Sequence, residues 1–264
     1  MSALTERAPA GHYRFRHVAH MEWIKLRTLR STWWALAVTA AGGAVMAIVI
    51  GLNTISRSSD LTNNVLAGVV PGLLLIGVLG VLVMTTEYTS GMIRATLTAI
   101  PRRPLLLAAK AVVFGAAALV VGEAAAFLAF FAGGAAFRHG LSEPSLTQPG
   151  VLQAIVLGGA SYCLIGLLGL GLGAIIRHTA AAIAVLVAGV FVIGMIIGAA
   201  ARGVAAYLPV FIIGNSLTTT RQQSCTGAGQ CVHFLSPWTG LAVLSLYAAA
   251  ALAIGGWLLV RRDA

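Results

Sequence analysis

Along most of this chain the apolar residues follow no helical or strand period; they run on without interruption. Six stretches, Trp33 to Leu52, Val65 to Met84, Leu105 to Phe131, Val151 to Ile176, Ala180 to Ala201 and Pro237 to Val260, are almost free of charge. Each reaches the roughly 20 residues that a helix needs to cross the hydrocarbon core of a bilayer. A helix that is apolar on every side offers no face to water, so the pattern predicts an all-α, polytopic membrane protein with six transmembrane helices. Seven of the eight prolines fall between the runs or at their ends, where a residue that breaks helices belongs. Pro71 alone lies within a run and predicts a kink in the second span, either for packing or as a hinge. The chain divides into an N-terminal segment over 1–32, a membrane domain over 33–260 and a short tail over 261–264. An inner loop occupies about 85–104 and an outer loop about 202–236.

Ahead of the first run the pattern changes to a helical one. From Gly11 to Ser31, Phe15, Val18, Leu26 and Leu29 share one face while Arg16, His20 and Arg27 lie opposite, with Glu22 interrupting the apolar side. This predicts a basic amphipathic helix lying in the membrane interface; an ordinary basic flank that sets topology is the alternative. The 32 polar or amphipathic residues before the first long span do not resemble a cleaved secretory signal.

Composition agrees: 59% of the 264 residues are hydrophobic and 9% charged, with mean hydropathy +0.93. The net charge of +10 would point to nucleic acid in a soluble protein, but its distribution explains it otherwise. With the N-terminus inside, thirteen basic residues fall on the cytoplasmic side and four, Arg57, Arg138, Arg202 and Arg221, on the other. Positive residues are retained in the cytoplasm, so both termini are expected there, in the cytoplasmic membrane, with no nucleic-acid partner. The five tryptophans, Trp23, Trp33, Trp34, Trp238 and Trp257, sit at span ends, at headgroup level. In the fourth span Gly166, Gly169, Gly171 and Gly173 offer a surface for close helix packing.

Catalytic chemistry has little to work with. The chain has no H-E-x-x-H, and Ser161 in Gly-Gly-Ala-Ser-Tyr lacks the G-x-S-x-G order and a histidine within the spans to serve as its base. No catalytic or metal-ligating set is assigned, and without a G-x-x-x-x-G-K-[ST] loop the chain binds no nucleotide or other cofactor itself. Glu123 is the one acid well inside a span; it is read either as a substrate or proton contact or as a polar group bonded to Ser161 or Tyr162 on a neighbouring helix. Cys225 and Cys231 bracket five residues of the outer loop and can form a disulfide or remain as thiols; Cys163 reads as a packing residue.

Between spans two and three the chain reads TTEYTSGMIRATLTAIPRRPLLLAAK. Glu87, Tyr88, Gly91, Ile93, Arg94, Leu97, Pro101, Arg103 and Lys110 resemble the inner loop of permease subunits in the type 2 exporter class of ABC transporters. EWIKLRTLRSTWW, from Glu22 to Trp34, is similar to that family's basic N-terminal helix. LSPWTGL and VRRDA are similar to its last span and tail, and Tyr207-Leu208-Pro209 also matches.

The resemblance implies a permease that pairs with a second, identical or different, permease subunit in the lipid membrane. A cytosolic ATP-binding cassette ATPase would carry ATP and Mg. Glu87, Tyr88, Gly91, Arg94, Arg102 and Arg103 would contact that ATPase or fix the loop, Glu87 and Arg94 sharing a helical face seven residues apart. Arg102 and Arg103 are equally open to a role as topology charges on lipid phosphates. Glu22, Lys25 and Arg27 would belong to the coupling N-terminal helix. Spans two and five would line the pathway, and 202–236 would cap it outside. The competing readings are a secondary transporter or channel using Glu123, and a membrane sensor or anchor that transports nothing.

Overall fold

The computed structural model describes residues 14–28, 30–54, 60–100, 102–137, 144–200, 202–219, 223–225 and 231–261. The topology charges Arg7, Arg57, Arg138, Arg221 and Arg262 lie outside them, as does most of the tail. The described chain is helical apart from one small hairpin. Six of its helical segments are long and apolar enough to cross a membrane: Thr32–Asn53, Leu61–Thr89, Arg103–Ala135, Val151–Ile176, Thr179–Gly198 and Pro237–Arg261. The fourth has the bounds read from the sequence; the third starts close to its apolar stretch and runs about one turn past its end.

The elements are α1 (Phe15–Thr28), α2 (Arg30–Asn53), α3 (Leu61–Leu66), α4 (Val70–Thr89), α5 (Met92–Ala99), α6 (Arg103–Ala135) and α7 (Val151–Ile176). After these come α8 (Thr179–Leu186), α9 (Ile193–Ala200), α10 (Arg202–Ala205), α11 (Pro209–Ser216), the strands β1 (Gln223–Cys225) and β2 (Cys231–His233), and α12 (Pro237–Arg261). Helix α7 is central, packing against α4, α6 and α12. Its glycines make this possible: a Cβ on Gly169 would run into the Gly77 carbonyl of α4, and one on Gly171 would meet the Ala251 backbone of α12. Without a hydrophobic driving force between helices in lipid, such close backbone approach supplies the packing energy.

The second span is interrupted as Pro71 predicts. A 3-10 turn over Ala67–Val69 joins α3 to α4, and Pro71 sits in the first turn of α4, where its missing N–H costs nothing. The buried Tyr162 of α7 donates its hydroxyl to the Val69 carbonyl at 2.8 Å and fills the space beside Gly72. The fifth span is not one regular helix: a π-helical turn over Val187–Val192 separates α8 from α9, with no proline or other sequence signal to announce it.

At the end of the bundle away from the termini, the predicted outer loop contains α10, α11 and the hairpin. Buried Ile212 and Ile213 hold α11 against α7, α9 and α12. Asp60 caps α3 through the Asn63 N–H at 3.2 Å, and its second oxygen accepts from the Thr219 N–H at 2.8 Å and Oγ1 at 2.9 Å. These contacts tie the described part of the predicted outer loop to the start of the second span.

Candidate coupling site

Helix α1 docks on protein with Val18 and Leu26 of the face that the sequence marks as apolar, while Phe15 of that face stays exposed. Val18 packs with Ile93, Ile100, Leu106 and Ala109 in a small core separate from the main one. Trp23 and Ile24 are also exposed. Glu22 does not interrupt this face but occupies its centre, 3% exposed. It can do so because two lysines meet it there.

Four side chains close a ring. Lys110 Nζ, from the second turn of α6, donates to Glu22 Oε2 at 2.7 Å and to Glu87 Oε1 at 2.8 Å. Lys25 Nζ donates to Glu22 Oε1 at 3.0 Å and to the same Glu87 Oε1 at 2.9 Å. Three of the four are almost sealed from solvent, at 3–7% side-chain exposure, while Lys25 keeps 27%. Two acids and two bases leave the ring neutral, which is the condition for burying four charges. Burial alone would lower the Lys25 pKa, but the Glu87 hydrogen bond and the Glu22 charge outweigh it and hold the ammonium above its ordinary 10.5. Glu87 Oε2 is buried with no hydrogen-bond partner. The ring thus joins α1 to the last turn of α4 and the first turns of α6.

Immediately after Glu87 the chain breaks. Gly91 takes φ +71, ending α4 and starting α5 in a new direction. Glu87 and Arg94 are therefore not on one continuous helical face, contrary to the seven-residue spacing; the left-handed glycine turns the axis between them. The Arg94 side chain lies outside the described residues.

A second set of contacts ties the same end together. Arg177 adopts φ 58, the one non-glycine residue with positive φ among the described residues. Its guanidinium lies 5.2 Å from the centre of the Tyr88 ring and donates to the Leu258 carbonyl at 3.3 Å. Arg103 donates to the Leu259 carbonyl at 2.9 Å. Two arginines from other helices thus satisfy terminal carbonyls of α12, groups a helix cannot satisfy itself. Thr179 Oγ1 donates to Thr85 Oγ1 at 2.9 Å, fastening α8 to α4.

The expected site residues separate accordingly. Glu22, Lys25 and Glu87 meet; Tyr88, Gly91 and Arg103 lie around them; Arg27 and Arg102 are exposed and stand apart from the ring. Lys110 and Arg177, counted among the topology charges, prove to be structural partners; the signal for Lys110 was a cation six residues inside an apolar run. Of the two readings of Glu123, the bond to Ser161 or Tyr162 is not made. Those hydroxyls donate to the Leu157 and Val69 carbonyls, and the Glu123 carboxyl fits instead against Gly159, where a Cβ would come within 2.6 Å of it. Cys225 and Cys231 are Cα partners in the hairpin register, with side chains outside the described residues.

The fold and these contacts define a multi-pass membrane protein whose termini-side helix ends are locked together by buried charge. The chain matches no protein-family model and no curated protein sequence.

Proposed function

We propose that this chain is the transmembrane permease subunit of an ATP-driven exporter, working with a separate cytosolic ATPase and a second permease subunit. The observation that carries the reading is the Glu22–Lys25–Glu87–Lys110 ring. A helix lying outside the bundle, α1, is joined through buried charges to the ends of two spans, so a push on α1 or α5 reaches α4 and α6 as a unit. Such a junction suits a subunit that receives mechanical work from a partner, because closely packed elements shift between discrete arrangements rather than deform.

The charge asymmetry of the sequence supports a cytoplasmic side for this junction, with the inner membrane holding the protein. The phosphate-binding loop that the chain lacks belongs on the partner, with its ATP and Mg. An apolar cavity of about 270 Å³, lined by Val70, Phe191, Met195, Val210, Phe211 and Phe234 among others, lies where α11 and Phe234 meet Val70 of span two and Phe191 and Met195 of span five. It gives the pathway reading for those spans a place for an apolar part of a substrate. The exposed apolar side chains of α2, α9 and α12, among them Val45, Ile196 and Leu246, are the surface that lipid and the second subunit would share.

Purification of the full chain from its native membrane, followed by mass spectrometry, should recover an ATPase carrying a phosphate loop. Reconstituted together, the two should transport only with ATP, and Glu87→Gln should uncouple hydrolysis from transport while ATP binding persists. Transport by this chain alone, without nucleotide, would refute the reading.

A further inference from the structure

Beside the ring, and separate from it, an open groove of about 610 Å³ runs between the start of α6 and the end of α12. It is lined by Arg102, Arg103, Pro104, Leu105, Ala108 and Val260. Its lining is mostly apolar, with Arg102 and Arg103 as its two cations. Leu105 and Ala108 lie within the first turns of the third span, and Val260 is one residue from the end of the sixth, so the apolar part sits where hydrocarbon begins. Pro104, Ala108 and Val260 are exposed there. One turn back along α12 the exposed Trp257 carries the Arg261 guanidinium 4.4 Å above its ring, an amphipathic pair suited to the headgroup layer. Arg103 is held in place by its bond to the Leu259 carbonyl at 2.9 Å.

We infer that this groove binds an acidic phospholipid of the leaflet on the side of the termini. Its phosphate sits at Arg102 and Arg103, and an acyl chain lies along Leu105, Ala108 and Val260. A soluble protein would have to cover apolar walls that already face the bilayer, and a free anion would leave them empty; a lipid satisfies both halves of the groove. The preference is for an acidic headgroup because a zwitterionic one brings its own cation toward the arginines. The inference needs the chain to span a membrane but does not depend on any ATPase partner.

The test is native mass spectrometry of the full chain released from micelles containing phosphatidylglycerol and phosphatidylcholine in equal amounts. The unaltered chain should retain phosphatidylglycerol preferentially. Arg102→Gln should weaken that retention by about five-fold, the expected effect of one basic residue at an anionic surface. Ala108→Trp, which fills the groove without changing charge, should remove it while thermal unfolding stays as before. Equal retention of the two lipids, or undiminished phosphatidylglycerol on both variants, would overturn the inference. So would displacement of the lipid by inorganic phosphate, which would assign the arginines to a free anion. Loss of a copurifying protein from Arg102→Gln with lipid retention intact would assign them to a protein partner and equally overturn it.

Discussion

Replacing Lys110 by Met is the most direct way to test whether the buried ring holds α1 on the bundle. The substitution keeps all but the last atom's length of the side chain and removes hydrogen bonds of 2.7 Å to Glu22 and 2.8 Å to Glu87. Lys110 is 3% exposed, so water cannot take its place. Lys25 would remain as the sole cation for two carboxylates. Breaking a buried ion pair by removing one partner costs about 3–5 kcal/mol. An upper bound comes from the escape route: one glutamate can take up a proton, and holding a carboxyl of ordinary pKa near 4.3 neutral at pH 7 costs about 4 kcal/mol. A cost of about 3 kcal/mol is therefore expected, and it falls on the α1 junction rather than on the main core. It raises the open fraction of α1 on the order of a hundredfold.

Trypsin reads this opening directly, because Arg16 and Arg27 lie on α1. In detergent at pH 7, cleavage there should accelerate by that factor while cleavage elsewhere is unchanged, provided opening and closing are fast relative to cutting. Adding Glu22→Gln should recover part of the loss, since it removes one of the two carboxylates left competing for Lys25. Lowering the pH should narrow the gap between variant and parent by up to about 1.4 kcal/mol per unit, the linkage expected when the variant takes up one more proton than the parent. An α1 cleavage rate within threefold of the parent would mean that the ring does not fasten this helix, and the coupling reading would fall with it.

Lys25 gives a second pH dependence of known sign. Its pKa is raised in the folded protein, so its stabilising contribution is complete below the ordinary 10.5 and is lost as pH climbs through the higher folded value. Lys25→Met should erase that alkaline step in the same trypsin assay. Gly91→Ala should cost about 1–2 kcal/mol at the α4–α5 turn for want of a left-handed conformation, and Gly91→Asn less, measured by thermal unfolding in detergent. Gly169→Ala pushes a methyl into the Gly77 carbonyl and should destabilise by about 1–3 kcal/mol, whereas Gly42→Ala meets no neighbour within 4 Å and should cost nothing. Peptide mapping without reductant should show Cys225 joined to Cys231, the pair that the hairpin register places opposite each other, and recovery of both as alkylated thiols in freshly isolated protein would exclude the bridge.

Much of the architecture is legible without coordinates because it follows from one-dimensional physics. A span must be apolar over a fixed length, proline must lie at its ends, and cations must collect on one side; the bounds of α7, the interruption near Pro71 and the exposed tryptophans at helix ends all descend from these conditions. The glycines of α7 likewise announced a tightly packed helix, although not that Gly77 and Ala251 would be what they meet. Side-chain partnership was not legible in the same way. Glu22 breaks an apolar pattern in sequence, and only a lysine 88 residues further on makes its burial stable. For Glu123 the sequence left open a substrate or proton contact and a bond to Ser161 or Tyr162; the bond is not made, because hydroxyls inside helices find nearer acceptors in carbonyls, and the carboxyl lies against Gly159 instead. The left-handed Gly91 separated Glu87 from Arg94, which spacing alone had placed together. Hydrophobicity and helix length act locally and are written residue by residue along the chain. Charge pairing acts at about 3 Å between residues far apart in sequence, so it is decided where the helices cross.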